Sequence, residues 1–443
     1  MRAWPLLPPC IVVLITTAVG FDVSPSRTGR SIIRPRSVFR GAVHGRRTEL
    51  TRCRGEGKPP RYRSEELVNQ IPRFRIGNIS APLTIIDAGN ILQSYNPSQA
   101  SDILFGLAKL GFTAFQFPAL PADEEAGVAM LEGLVELKRK WEKKKYHLLT
   151  EILFIPTFDP SLVDFDENSE EDIMRRYYIE PLEVLESPSF PLVQVGCLQH
   201  WGPCRLMDAI GIHQKLQRRG FIEHLGGIHM DSKQIEACIG EGIQLRSNLI
   251  PYSILDRRAE NSLVSVAKSS GVSLLLESPS CEGWLDERWF GSPRPDYLDL
   301  TKMPPSMQNA FEILRRAGGW EYVQAVGHSV KEVKEKHVDL LSGFPVKHEH
   351  ITFHWTVAAL KREGVEVGSL FAPSYDNPDP LAQYIVRLDE DDIKKLDSIA
   401  DESNRLFPPQ GCIGSWEKEM YKARDESSYF LDMKGKGGRK RSS

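Results

Sequence analysis

Four side chains that could transfer protons stand where apolar runs of this sequence end. Glu151 and Glu277 fall at the predicted carboxyl ends of two strands, and His200 and His229 end two others. Carboxylates that lie close together raise one another's pKa, which makes them useful as general acids near neutral pH. Imidazole and carboxylate groups also bind divalent metals, so a metal centre is a second interpretation. The third is that the acids are solvated loop residues and that His200 is a hydrogen-bonded residue of the rim.

The cysteines do not favour a metal centre. The sequence has seven, of which Cys10 and Cys53 lie in the presumed leader. No pair has the CxxC spacing typical of zinc sites and redox motifs. The five in the body are an odd, scattered set, which is typical of packing cysteines and not of a disulfide framework. We therefore expect no metal.

The elements that position these side chains can be predicted from hydrophobic patterns. Eight short apolar runs suited to buried strands alternate with longer amphipathic stretches, and this order predicts parallel strands joined by right-handed crossovers. Eight such units make a (β/α)8 TIM barrel of class α/β. A doubly wound open sheet is the competing arrangement, but no GxGxxG follows the first strand. The runs are 83–86, 113–115, 148–155, 192–198, 226–228, 243–245, 273–276 and 367–371, and the helical patterns include 97–110, 128–144, 170–185, 232–239, 260–269 and 350–362.

The N-terminus has the pattern of a secretory signal. Residues 1–20 begin with Met1-Arg2, continue with an apolar run and end in Ala18-Val19-Gly20, which predicts a signal peptide. The run is short and contains Pro8-Pro9, so it is poorly suited to span ~30 Å of hydrocarbon. We expect no membrane anchor once the leader is removed.

The next segment, 21–63, has the composition of a transit peptide. It is rich in Arg, Ser, Thr and Pro, and its only acids are Asp22, Glu49 and Glu56. A signal peptide followed by such a leader resembles the two-part targeting sequence of plastid proteins in complex algae. The expected localisation is therefore the plastid (chloroplast). The alternative is a secreted protein with a disordered basic linker.

The body, 65–432, is predicted to be one barrel domain, since α/β barrels commonly run to ~250 residues or more. The chain is 41% hydrophobic with a net charge of −3, which fits a globular protein and gives no electrostatic reason to expect nucleic-acid binding. The Lys- and Arg-containing end, 433–443, is predicted to be a disordered basic tail.

Short motifs, taken in their order along the body, resemble the aldo/keto reductase family. Ser278-Pro279 follows a predicted strand as in the family's Tyr-Ser-Pro-Leu turn, and Asn248 stands where the family has an Asn-Gln strand. The other similar segments are His200-Trp201, 251–257, 283–291, 318–320 and 388–396. The resemblance covers nearly the whole body and implies a barrel that reduces carbonyl compounds with NADPH.

In that family a Tyr protonates the carbonyl oxygen, a Lys and an Asp lower the pKa of this Tyr, and a His holds the oxygen. The Tyr needs this help because a phenol with a pKa of ~10 exchanges protons poorly at neutral pH. By resemblance, the Tyr position falls on Pro121, the Lys position on Glu151, the Asp position on Gln116 and the His position on His200. Only the His is retained, so carbonyl reductase activity is predicted to be lost.

The cofactor site is altered in the same way. By resemblance, Asn248, Ser278 and Tyr252 are the candidate cofactor-binding residues, whereas Glu277 replaces the Tyr on which the nicotinamide stacks. The last loop, 372–380, contains no cation, although phosphate recognition needs positive charge or open backbone N–H groups. The resemblance implies NADP(H) as the cofactor, but these replacements predict weak binding or none.

Three hypotheses about function stay open. The first is a pseudoenzyme that binds a small molecule or a plastid protein. The second is a divergent NAD(P)H-dependent oxidoreductase acting on a small carbonyl compound, with substitute residues such as Tyr252, Tyr375 or His229. The third is a non-redox enzyme that uses the carboxylates at the barrel mouth for acid–base catalysis.

Overall fold

The computed structural model describes residues 21–25, 31–35, 71–119, 124–196, 205–340, 346–372 and 388–406. Eight parallel strands close into a barrel in which each strand pairs with the next and the last pairs with the first. The barrel strands are β5 (Thr84–Asp87), β6 (Ala114–Pro118), β7 (Leu153–Phe158), β8 (Phe190–Val195), β9 (Ile222–Ile228), β10 (Leu245–Pro251), β11 (Ser273–Glu277) and β12 (Val367–Phe371). The predicted (β/α)8 barrel is confirmed.

Two antiparallel hairpins precede the barrel strands. One consists of β1 (Phe21–Pro25) and β2 (Ser31–Pro35), within the segment predicted as a leader. The other consists of β3 (Arg73–Ile76) and β4 (Ile79–Pro82), and its Phe74 is buried. Phe74 fits against β12 only because residue 368 is glycine, since a Cβ there would lie 2.3 Å from the Phe74 ring. The second hairpin therefore closes the amino-terminal end of the barrel.

Helices surround the barrel and provide its crossovers. They are α1 (Gly89–Ser94), α2 (Pro97–Lys109), α3 (Glu124–Lys143), α4 (Glu170–Met174), α5 (Glu180–Val184), α6 (Leu206–Arg218), α7 (Ser232–Gly240), α8 (Leu263–Ser270), α9 (Tyr297–Thr301), α10 (Pro305–Ala317), α11 (Gly319–Leu340), α12 (His348–Arg362) and α13 (Glu390–Leu406). Side-chain caps begin several of them. Asp231 accepts from the Gln234 backbone N–H, and the Gln234 side chain accepts from the Asp231 N–H. No helix in the described part of the chain is long and apolar enough to cross a membrane.

The long connection between β11 and β12 is held by an aromatic cluster. The Trp284 ring lies 4.7 Å from Trp289 and 6.0 Å from Trp320, measured between ring centroids. Each indole N–H donates to a backbone carbonyl, those of Met307, Gly283 and Ser292 respectively. These tryptophans pack the connection.

The helical pattern predicted over 170–185 contains one turn of π-helix, Arg175–Ile179, between α4 and α5. This turn places Tyr178 against α6, where its hydroxyl lies 2.5 Å from Nε2 of His213. Nδ1 of His213 lies 2.6 Å from the carbonyl oxygen of Ala209, which fixes the tautomer with the proton on Nδ1. Tyr178 therefore donates to His213, and both side chains are fully buried.

Replacing Tyr178 with phenylalanine is expected to lower the free energy of unfolding by about 1–3 kcal/mol, because Nε2 of His213 loses its buried donor. Urea denaturation of the variant and the wild type measures the change. Tyr177→Phe is the matched control, since Tyr177 is partly exposed on the same π turn. Equal stability of wild type and Tyr178→Phe would contradict this assignment of the hydrogen bond.

Candidate functional site

Strand register determines which side chains enter the barrel. Gln194 in β8 pairs with Thr157 in β7 and with Gly226 in β9. Gly226 faces inward, because a Cβ there would lie 2.2 Å from Oγ of Ser247 and 3.2 Å from the Gln194 side chain. Since side chains alternate along a strand, Thr157, Gln194 and Ser247 all lie inside the barrel. The interior therefore contains a polar layer.

The same register continues to the carboxyl end of the barrel. Ile155 lies on the same face of β7 as Thr157 and pairs with Gln116, which in turn pairs with Asp87 at the end of β5. Two strands away from β5 around the barrel, Glu277 ends β11. The carboxyl ends of barrel strands are the face that carries function in this fold. Asp87, Gln116 and Glu277 therefore lie in the region where a ligand would bind.

A histidine–carboxylate pair lies at this mouth. Nε2 of His229, directly after β9, lies 2.5 Å from Oε2 of Glu277, and the two side chains are 14% and 31% exposed. His229 has a φ of 52°, a left-handed conformation uncommon for a residue with a side chain. The structure thus brings His229 and Glu277 together. A pair with this geometry can move a proton between imidazole and carboxylate.

Two further carboxyls lie close enough to Glu277 to feel its charge. Burial raises the pKa of Asp87, the Gly89 N–H bonded to its Oδ1 lowers it, and the charge of Glu277 raises it further. Burial likewise raises the pKa of Glu282, a hydrogen bond from Ser278 opposes this shift, and Glu277 adds to it. The mouth is therefore an acidic pocket formed by Asp87, Glu277 and Glu282, in which the pKa values of Asp87 and Glu282 are raised.

The prediction that Glu151 ends a strand at this face is wrong. Because β7 spans Leu153–Phe158, Glu151 precedes the strand and lies exposed at the other end of the barrel. The apolar residues Leu148 and Leu149 suggested an earlier strand, but they lie at the end of a short 3₁₀ helix, Tyr146–Leu148, and are 73% and 43% exposed. The carboxyl end of β7 is Thr157-Phe158, and Phe158 is fully buried.

The three candidate cofactor-binding residues all make contacts within the protein. Asn248 is fully buried, its Oδ1 accepts from the Met230 N–H at 3.2 Å, and its Nδ2 donates to the Met230 carbonyl at 2.8 Å. The Tyr252 hydroxyl donates to Glu260, and its ring is buried. Ser278 has a φ of 51°, and its carbonyl accepts from the Cys281 N–H. Asn248 holds the turn after β9, which carries His229.

Asn248→Ala is expected to cost about 2–4 kcal/mol of stability, because it leaves a buried N–H and a buried C=O of Met230 without partners. It should also loosen the His229 turn. Thermal unfolding measures the first effect. Asn261→Ala is the control, since Asn261 is exposed and lies outside the barrel strands. A loss below about 0.5 kcal/mol would show that Met230 finds other partners.

Other predicted residues lie outside the part of the chain that the structure describes. They are Pro121, His200, Trp201 and Tyr375, and most of the loop 372–380 lies there too. Within the described ranges, no group of three or more His, Cys, Asp or Glu side chains could hold a metal ion. The sequence reasoning missed Asp87 and Glu282. Asp87 follows an apolar run in the same way as Glu277, so the signal that singled out Glu277 could also have found it.

Solved structures with a similar fold are aldo-keto reductases. Glycerol dehydrogenase from Gluconobacter oxydans superposes with a TM-score of 0.53 and 15% identity, covering 76% of this chain and 96% of that enzyme. An aldo-keto reductase from Bacillus halodurans in its holo form gives a TM-score of 0.50 and 14% identity, covering 74% and 96%. At this identity the likeness shows the fold alone.

Sequence comparison gives a different kind of relative. Flagellar radial spoke protein 5 of Chlamydomonas reinhardtii is 25% identical over 194 residues, which cover 40% of this chain. The match spans about a third of that protein's length, 36%. No protein-family model matches the chain.

Proposed function

We propose that this chain is an aldo/keto reductase-like barrel without the family's carbonyl reductase activity, and that it acts by binding a small molecule or a partner protein. The observation that carries the proposal is the His229–Glu277 pair at the mouth, with Asp87 and Glu282 beside it. Hydride transfer from NADPH places a dinucleotide with several negative charges over these strand ends. An acidic mouth disfavours such a ligand.

The catalytic positions support the same proposal. Glu151, which the resemblance gives as the family's Lys position, is an exposed acid. The carboxyl end of β7 is Thr157-Phe158, and the buried Phe158 ring has no positive charge. Gln116 provides an uncharged amide in place of the Asp. Without an ammonium nearby, a phenol supplied from elsewhere would keep a pKa near ~10 and donate its proton poorly.

The curated relative also favours a binding role. Its name describes a component of a flagellar assembly and not a reaction. We infer a corresponding role in protein or ligand binding for this chain, with the plastid as the proposed location. A fluorescent protein fused to residues 1–63 tests the location in a complex alga. Fluorescence outside the cell would favour the secreted alternative.

An activity assay tests the loss of reductase function. Purified protein is mixed with NADPH and a panel of aldehydes and ketones, and cofactor oxidation is followed by absorbance. We expect no oxidation above the rate without protein, while an active aldo-keto reductase added in parallel oxidises the cofactor. Turnover that saturates with substrate would contradict the proposal and favour a divergent oxidoreductase.

A second candidate is a non-redox enzyme in which the His229–Glu277 pair is the general acid–base. The 2.5 Å contact favours it, because a positioned proton-transfer group contributes roughly 10²–10⁴ in rate. For any substrate found by screening metabolites, His229→Gln and Glu277→Gln should each lower kcat by that factor. Lys233→Gln is the control, since Lys233 is exposed on α7. A kcat unchanged in both variants would eliminate this candidate.

A further inference from the structure

Two buried amide oxygens inside the barrel have no hydrogen-bond partner among the residues that the structure describes. They are Oε1 of Gln116 and Oε1 of Gln194, in side chains that are 6% and 0% exposed. A buried acceptor without a donor costs about 1–3 kcal/mol, and native proteins leave few of them. Nε2 of Gln194 lies 3.5 Å from Oγ of Ser247, so that side chain is oriented by its amide nitrogen. Gln116 is the acceptor that pairs in register with Asp87 at the mouth.

Gln116 lies directly beside a carboxylate. It pairs in register with Asp87, and both side chains are on the inner face of their strands. Oδ1 of Asp87 accepts from the Gly89 N–H at 3.0 Å. A buried amide oxygen without a recorded donor and a carboxylate therefore lie on the inner face of adjacent strands.

The charges around these acceptors favour a positively charged group. Glu277 lies close enough to Glu282 and to Asp87 for its charge to raise the pKa of both. The three carboxylates are those of Asp87, Glu277 and Glu282. His229 contacts one of them, Glu277, and can balance its charge. Among the described barrel strands, the one Lys or Arg is Arg246. It points outward, because side chains alternate along a strand and its neighbour Ser247 points inward. The mouth therefore has more negative than positive groups.

We propose that the barrel mouth binds the ammonium group of a small primary amine, held by Asp87 and by Oε1 of Gln116. An ammonium has three N–H donors, which satisfy both acceptors and leave one for a rim carboxylate. A metal ion fits less well, because the described residues contain no suitable ligand group. The inference rests on the proposed function, since a dinucleotide over the same strand ends would exclude the amine.

Calorimetric titration of the full chain with butylamine at constant ionic strength and neutral pH tests the proposal. We expect saturable binding, and binding at least about tenfold weaker for butyltrimethylammonium, which has the charge but no N–H donor. Asp87→Asn and Gln116→Leu should each weaken butylamine binding by about tenfold or more. Asp102→Asn is the control, because Asp102 is an exposed acid on α2 paired with Lys140.

Gln116→Glu provides a second variant that does not depend on Asp87→Asn folding well. It adds a carboxylate at the same position and should tighten butylamine binding. Equal binding of the two amines, equal binding by wild type and Asp87→Asn, or no saturable binding would each overturn the proposal. These outcomes leave the loss of reductase activity untouched, whereas NADPH oxidation would disprove the proposed function independently of amine binding.

Discussion

Replacing Arg258 with methionine is expected to lower the free energy of unfolding by about 3–5 kcal/mol, because it leaves a buried carboxylate without its cation. Nε and Nη2 of Arg258 each lie 2.7 Å from one oxygen of Asp256, and the two side chains are 4% and 5% exposed. This two-point contact fixes the loop after β10. Ser253 Oγ also accepts hydrogen bonds from two backbone N–H groups of this loop.

Urea denaturation measures the loss, and two further variants show its cause. Arg219→Met removes an exposed ion pair with Glu171 and should lower the stability far less, because solvent screens the charges of an exposed pair. The double variant Asp256→Leu/Arg258→Met removes both charges and should be more stable than Arg258→Met alone. A double variant less stable than that single variant would contradict the explanation by an unpaired charge.

Acidification is expected to destabilise the protein between about pH 6.5 and pH 4. Burial lowers the pKa of His213 from 6.5 to about 4, that of His348 to about 4 and that of His350 to about 3. Lys331 and Lys334 also lower the value for His348, while Glu287 opposes them. All three are neutral in the folded protein, and in the unfolded chain they take up protons once the pH falls below about 6.5.

The sign follows from this difference in bound protons. Below pH 6.5 the unfolded state binds more protons than the folded state, so stability falls as the pH is lowered and each fully buried histidine contributes on the order of 3 kcal/mol. Denaturation midpoints at a series of pH values measure the effect. His213→Gln, whose amide oxygen can accept from Tyr178, should reduce the pH dependence. A midpoint that stays constant from pH 6.5 to pH 4 would contradict the prediction.

The sequence predicted the number and order of the barrel strands because buried parallel strands are short apolar runs and their crossovers are amphipathic helices. It predicted strand boundaries less well where a loop is also apolar. Because Leu148 and Leu149 are apolar, the third barrel strand was predicted to begin five residues too early. Only the pairing of Leu153 with Ala114 shows its true start. Because this boundary was wrong, Glu151 was predicted at the carboxyl end of the barrel, whereas it lies at the amino end.

The site was predictable to the extent that it depends on strand ends. His229 and Glu277 follow apolar runs, and closing the barrel brings these residues together. The roles of Asn248 and Tyr252 could not be read in the same way, because the partners of a buried polar side chain depend on tertiary packing. Asn248 bonds Met230, and Tyr252 bonds Glu260, where the resemblance suggested cofactor contacts.

The most direct test of the central claim is a titration of the protein with NADPH and NADH, followed by tryptophan fluorescence and by melting temperature. A ligand bound only by the folded state stabilises it in proportion to the logarithm of its concentration over Kd. We predict no fluorescence change and no rise in melting temperature at millimolar cofactor. A saturable fluorescence change with a melting temperature that rises with NADPH concentration would contradict the account and restore hydride transfer as the function.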